Sequence, residues 1–137
     1  ECEILTCISK DAFHSDILVG GNPNDGPPGY DSLTWHLDMQ KQSHLYSFKV
    51  DNLVVGGAVL ILYSTTLIVG RIFIDPIHYR KGYGKELMLE IEHLFPNVKL
   101  IKLDTPTWNT RTNSFYKKCG YKEINRTDES IFYEKKI

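Results

Sequence analysis

Between Arg80 and Lys85 the chain reads R-K-G-Y-G-K, and behind it the apolar residues Leu87, Met88, Ile91, Leu94 and Phe95 recur at helical spacing. Glycines at a helix entrance let successive backbone N–H groups turn toward one concave spot, where they join the helix N-terminus in attracting an anion. Arg80, Lys81 and Lys85 add positive charge beside Gly82 and Gly84, so a pyrophosphate suits this corner better than a carboxylate. Gly-x-Gly before a helix is also an ordinary turn, and its weight comes from its neighbours. Further along, Asn109 and Tyr116 stand about two turns apart in a predicted helix and project from the same face.

The elements that must hold these residues can be read outward from the corner. Leu67 to Ile74 is a largely apolar, β-branched run that predicts a buried strand, ended by Asp75 and by Pro76, which cannot donate to a ladder. His44 to Val50 and Leu53 to Tyr63 predict two more strands around a tight turn at Asp51 and Asn52. Gly56 and Gly57 inside the second imply a bulge or a close backbone approach. Short connections make these three an antiparallel meander. After the helix, Pro96 and Asn97 stop the chain and Val98 to Leu103 forms another strand, so that strand, helix and strand give a parallel pair with a right-handed crossover. Trp108, Thr112, Phe115, Tyr116 and Cys119 then form one helical stripe capped by Gly120. Tyr121 to Ile124 and Ile131 to Glu134 close as two strands.

The beginning is less regular. Glu3 to Ile8 has the apolar content of a short strand, and Lys10 to Val19 that of one or two helical turns. On one strand, Cys2 and Cys7 would face opposite ways and not pair. Gly20 to Gly29 is a Gly/Pro loop, readable either as a substrate gate carrying Asp25, Tyr30 and Asp31 or as a surface connector. A helix follows through Leu33, Trp35, Leu37 and Met39, with Asp31 or Ser32 as its cap.

Composition bounds the function. The 137 residues, 42% hydrophobic, make one globular domain, 1–137, with a real core. Sixteen basic and seventeen acidic residues nearly cancel, which argues against a nucleic-acid or anionic-membrane partner. No apolar run approaches the roughly twenty residues of a membrane span. Three cysteines make neither a metal site nor a disulfide framework, and a reducing cytoplasm is the expected compartment. The sequon at Asn125 carries no weight without secretion.

The ordered set D-P-x-x-x-R-K-G-Y-G-K, a strand ending in Leu103 and Asp104, and N-x-x-x-x-x-F-Y-K-K-C-G-Y resembles the GNAT superfamily of acyl-CoA N-acyltransferases from Leu53 onward. The resemblance implies an α+β fold, an α/β/α sandwich whose mixed, mostly antiparallel sheet has one splayed parallel pair and helices on both faces. It implies acetyl-CoA as cofactor, its pyrophosphate wrapped by Tyr79, Arg80, Lys81, Gly82, Tyr83, Gly84 and Lys85. Its pantetheine arm would meet the backbone of Ile72, Phe73 and Ile74. Asn109 matches a cofactor-contacting asparagine, and Tyr116 the tyrosine proposed to protonate the departing thiolate. Tyr79 departs from the usual Gln or Arg, and Ile68 stands where many members carry an acidic base. Asp104 then becomes the candidate base, at the end of the strand where some N-terminal acetyltransferases have glutamate; D-T-P-T is also good turn chemistry.

The expected reaction is direct acetyl transfer to a primary amine, a small molecule or a peptide N-terminus, without a covalent intermediate. Tyr30, Asp31 and Trp35 are the expected acceptor-binding residues, and no metal is expected. Two rivals remain: an acyl-CoA-binding sensor without turnover, and a dinucleotide-binding oxidoreductase, against which Leu87 replaces the third glycine of the fingerprint. The identity of the acceptor and the choice between monomer and homodimer stay open.

Overall fold

The computed structural model describes residues 1–22 and 26–137. Six strands form one sheet in the order β1-β2-β3-β4-β6-β5: β1 Leu45–Val50, β2 Leu53–Tyr63, β3 Thr66–Ile74, β4 Leu100–Pro106, β5 Lys122–Arg126 and β6 Ser130–Lys136. Every pairing is antiparallel except β3 with β4. Helices α1 (Cys2–His14) and α2 (Leu33–Lys41) precede the sheet in sequence, α3 (Tyr83–Leu94) crosses from β3 to β4, and α4 (Thr110–Lys118) follows β4.

The short turns behave as their residues dictate. Asp51 and Asn52 both adopt left-handed backbone angles, φ 52° and 65°, the pair a two-residue hairpin requires. Gly56 marks a close approach: a Cβ there would stand 2.3 Å from the Phe73 carbonyl oxygen on β3. Ser32, not Asp31, caps α2 by accepting the Trp35 N–H at 3.1 Å.

The first element differs from expectation. Glu3–Ile8 is not a strand; the whole of Cys2–His14 is helix. The apolar window Ile4, Leu5 and Ile8 is too short to tell period two from period 3.6. The buried set Cys2, Leu5, Thr6, Ile8, Ser9 and Ala12 is helical, and Leu5, Ile8 and Ala12 pack on Phe73. Cys2 is buried and Cys7 exposed, about 140° apart around the helix, so the two do not face each other.

Two cores result. α1 covers one face of the sheet through Phe73. On the other, Leu87, Met88 and Ile91 of α3 and Tyr116 of α4 pack with Leu67, Val69, Ile101, Leu103, Ile131 and Tyr133. The sheet thus lies between two helical layers.

The feature that shapes the molecule is a bulge in β3. Val59 pairs with Arg71 and Leu60 with Val69, which leaves Gly70 unpaired. An extra residue bends a strand, increases its twist and resets which face each side chain takes. Val69 and Ile72 therefore both serve the α3 core, whereas Arg71 and Phe73 turn toward α1 and α2. The parallel ladder of β3 with β4 runs only from Thr66–Leu100 to Ile68–Lys102 and stops before the bulge. From there the two strands part.

Gly56→Ala should lower stability by about 1–3 kcal/mol, because its methyl group meets backbone, which cannot rotate away. Urea denaturation checks this, and a change within error would mean that β2 and β3 separate there at no cost.

Candidate active site

A cleft of about 1130 Å³ opens where β3 leaves β4, above the roughly 300–1,000 Å³ of most small-molecule sites. Ile72, Phe73 and Ile74 form one wall, Asp104, Thr105 and Pro106 the other. The Asp75 N–H bonds to the Val55 carbonyl at 2.8 Å, so by strand alternation Phe73 also turns its amide toward β2. Ile72 and Ile74 consequently point their N–H and C=O groups into the gap. Such an edge can accept an extended ligand as a partial strand.

The Gly-rich corner closes one end. Tyr79 is extended, while Arg80 and Gly82 take left-handed angles of φ 69° and 79°. Gly82 N-caps α3, whose first intrahelical bond runs from Glu86 N–H to the Gly82 carbonyl. The N–H groups of Tyr83, Gly84 and Lys85 thus lack helical partners at the positive end of the helix dipole. A Cβ at Gly82 would meet nothing within 4 Å and would project into open space, and one at Gly84 would sit 3.3 Å from the Phe115 ring. Arg80, Lys81 and Lys85 are exposed around this corner, with Lys81 Nζ 3.1 Å from His78 Nδ1.

Asn109 and Tyr116 both line the cleft, although their relation differs from the sequence expectation. Asn109 is the cap of α4, its Oδ1 accepting the Thr112 N–H at 3.1 Å, and Trp108 precedes the helix instead of sharing its stripe. Asn113 fixes this cap, donating from Nδ2 to the carbonyls of Pro106 (3.0 Å) and Asn109 (2.8 Å) and accepting the buried Tyr133 hydroxyl at 2.6 Å. Tyr116 is buried among Phe115, Tyr121 and Tyr133. Burial first, then the charges of Cys119 and Asp104, push its phenol far above the usual value, so it stays protonated. Asp104 alternates with the core residues Ile101 and Leu103 and so projects from the opposite face of the sheet, exposed at the cleft.

The departure at Tyr79 has a local explanation that no motif announced. Its hydroxyl lies 3.2 Å from Ser15 Oγ, and the Arg111 guanidinium sits 5.0 Å above its ring. Arg111 in turn donates to Ser15 Oγ at 3.0 Å and pairs with Asp16 at 2.7 Å. This network ties the 3-10 turn Ser15–Val19 to α4 and to the Gly-rich corner. Asp16 lies on the cleft wall, where burial raises its carboxyl against the opposing effect of Arg111.

The three residues expected to meet an acceptor are not on the cleft wall. Tyr30 is buried with its hydroxyl 2.8 Å from His14 Nε2, Asp31 is exposed, and Trp35 lies beneath Arg71. Asp25 falls outside the described residues. Arg71 does reach the cleft, with Leu18, Val19 and Trp108 nearby on its wall. Among the described residues no group of His, Cys, Asp or Glu could hold a metal ion, and no helix is long and apolar enough to cross a membrane.

These features together are those of an acyltransferase fold with its ligand cleft between splayed strands. Residues 11–121 match the model of the Acetyltransferase (GNAT) family, and the chain belongs to that family. Among solved structures, the PaiA N-acetyltransferase from Thermoplasma acidophilum in complex with coenzyme A superposes with a TM-score of 0.81 at 19% identity, over 99% of this chain and 92% of that one. A GNAT-family acetyltransferase from Streptococcus agalactiae gives 0.85 at 15% identity, over 100% and 90%. The ribosomal-protein-S18-alanine N-acetyltransferase from Escherichia coli gives 0.66 at 17%, over 94% and 87%. Among curated proteins, none matches this chain in sequence. Family and mixed sheet together overturn the dinucleotide-binding oxidoreductase reading.

Arg111→Met should leave Asp16 half-buried without its cation and cost on the order of 1 kcal/mol at pH 7. A raised carboxyl binds protons more tightly folded than unfolded, so its stabilising contribution is present at low pH and is lost as pH rises above the unfolded value. The variant's deficit should therefore grow from pH 4 to pH 7 in urea titrations; an equal deficit at both would mean that Asp16 is solvated.

Proposed function

We propose that residues 1–137 act as one N-acetyltransferase unit that moves an acetyl group from acetyl-CoA to a primary amine, directly and within a ternary complex. The observation that carries this reading is the continuity of one cleft: an unpaired strand edge at Ile72–Ile74 leads to helix-terminal amides at Tyr83–Lys85. The donor set fits coenzyme A, because a diphosphate suits clustered N–H groups flanked by cations and a pantetheine arm carries amides that a strand edge can pair. Acetyl-CoA supplies the activated thioester, whose C–S bond is exchanged for a C–N bond to the amine.

This chain's residues then have distinct work. The amides of Tyr83, Gly84 and Lys85, with Arg80, Lys81 and Tyr79 around them, hold the diphosphate end. Gly82 leaves room for it. Ile74 N–H faces the gap and is the donor for charge that develops on the carbonyl oxygen. Asp104 receives the proton that the acceptor ammonium must lose, through a bridging water where its short side chain falls short. A lysine-like amine has a pKa near 10.4 and an α-amine one near 8, so an α-amine needs less of this help. Asn109 borders the pantetheine end. Tyr116 donates its O–H toward the departing sulfur. Its raised basicity makes complete transfer of its own proton costly, so it acts chiefly as a hydrogen-bond donor there, and the departing thiolate takes up the second proton that the attacking nitrogen sheds once the C–N bond has formed. Three free thiols suit a reducing compartment such as the cytoplasm.

The reading is tested by release of free thiol from acetyl-CoA over a panel of amines, amino acids and peptides. Tyr116→Phe should lower kcat by about tenfold to a hundredfold with little change in KM for acetyl-CoA, and full turnover across pH would remove Tyr116 from the chemistry. Asp104→Asn should lower kcat/KM by about 10²-fold near neutrality and recover as pH approaches the pKa of the acceptor amine. An unchanged profile would exclude it as base. Gly82→Ala should weaken coenzyme A at least about tenfold by calorimetry, and unaltered affinity would move the diphosphate elsewhere.

A further inference from the structure

Arg71 is an anomaly that the acetyl-transfer reading leaves unused. It is a half-buried cation that makes no ion pair among the described residues: its Nη2 donates to the Pro28 carbonyl at 2.9 Å, its guanidinium lies 4.1 Å over the Trp35 ring, and its Nη1 is buried with no partner. Burial lowers its pKa to about 10. His36, on the same face, is itself held toward the neutral form by burial and by the Arg71 charge. An unpaired buried N–H of a charged group costs stability, and such a group is held in place here by stacking and by one hydrogen bond. The Gly70 bulge turned this side chain to the α1 face in the first place.

The surroundings say what this cation can meet. Beyond the last paired rung, Ile68–Lys102, the strands part, with Arg71 on one wall of the opening and Asp104 on the other. Both project from the face that carries α1, and both line the same cleft. One wall thus offers a cation, the other an anion. Phe13, Leu18, Val19 and Trp108 add apolar surface to the same cleft.

Resting on the acetyl-transfer reading, we propose that the acceptor is a primary amine that also carries a carboxylate, as a free amino acid does. Arg71 receives the carboxylate while Asp104 faces the ammonium. Trp35 and the Pro28 carbonyl are positioning groups that aim the guanidinium. The cleft's apolar residues take the acceptor side chain. A guanidinium site built for a carboxylate discriminates strongly against an analogue that lacks it, because the donor is then left desolvated and unpaired.

The test needs no variant to begin. Wild-type protein should acetylate L-amino acids with kcat/KM at least about tenfold above the matching amino amides, even though the amide's less basic amine is more often neutral. Arg71→Met, which keeps the stem, should bring each pair to within about twofold, Arg71→Lys should restore part of the preference, and neither should lower the Tm. Amides equal to or better than acids in the wild type, a phosphate-bearing amine such as O-phosphoethanolamine far ahead of both, or an Arg71→Met protein that keeps its preference would overturn the proposal. If no amine is acetylated, the enzymatic reading fails and the carboxylate site is judged alone. Calorimetry on the protein loaded with coenzyme A should then show an N-acetyl amino acid binding at least about tenfold more tightly than its amide, and equal binding would overturn the site too.

Discussion

The separation of β3 from β4 is the constraint on which everything else in this molecule depends. Two parallel strands held over Thr66–Ile68 and Leu100–Lys102 would ordinarily continue to satisfy each other's backbone. Here Gly70 inserts one residue, the strand turns, and Asp75 and Pro76 end it. Backbone groups of Ile72 and Ile74 are left facing a gap in the middle of a sheet. A sheet can sustain an open seam of this kind where a ligand or water supplies the missing bonds.

The seam stays open because its margins are fastened elsewhere. β4 is paired along its full length with β6, from Leu100–Lys136 to Pro106–Ser130. The Tyr133 hydroxyl, buried where an unpaired phenol would be costly, fixes Asn113, and Asn113 fixes the Asn109 cap. Across the cleft, Arg111 joins Asp16 and the Tyr79 ring, binding the turn after α1 to the Gly-rich corner. Rigidity at the rim and unsatisfied donors within it are the two properties a preorganised site requires.

Much of this was legible in the amino-acid order, for physical reasons that differ by region. Strong β-branched runs, the Asp51–Asn52 turn and the Gly82/Gly84 helix entrance each write their geometry locally, so the meander, the crossover and the glycine-rich start of α3 are legible directly. The first helix could not: Glu3–Ile8 is apolar enough for either period, and only packing on Phe73 decides. Helical spacing puts Asn109 within a helix that it instead caps, because a cap and a first-turn residue share composition. The acceptor side was least visible. Tyr30, Asp31 and Trp35 looked suitable as residue types, whereas Arg71 and Asp16 reach the cleft through a bulge and a 3-10 turn that no short motif encodes.

Amide hydrogen exchange, followed residue by residue with and without acetyl-CoA, probes the seam itself. If the strands part as described and the thioester lies between them, the Ile72 and Ile74 amides exchange quickly in the free protein and slow markedly on binding, together with those of Tyr83, Gly84 and Lys85. Slow exchange at Ile72 and Ile74 before any ligand is added, or protection confined to other segments, would contradict the open seam and the function built on it.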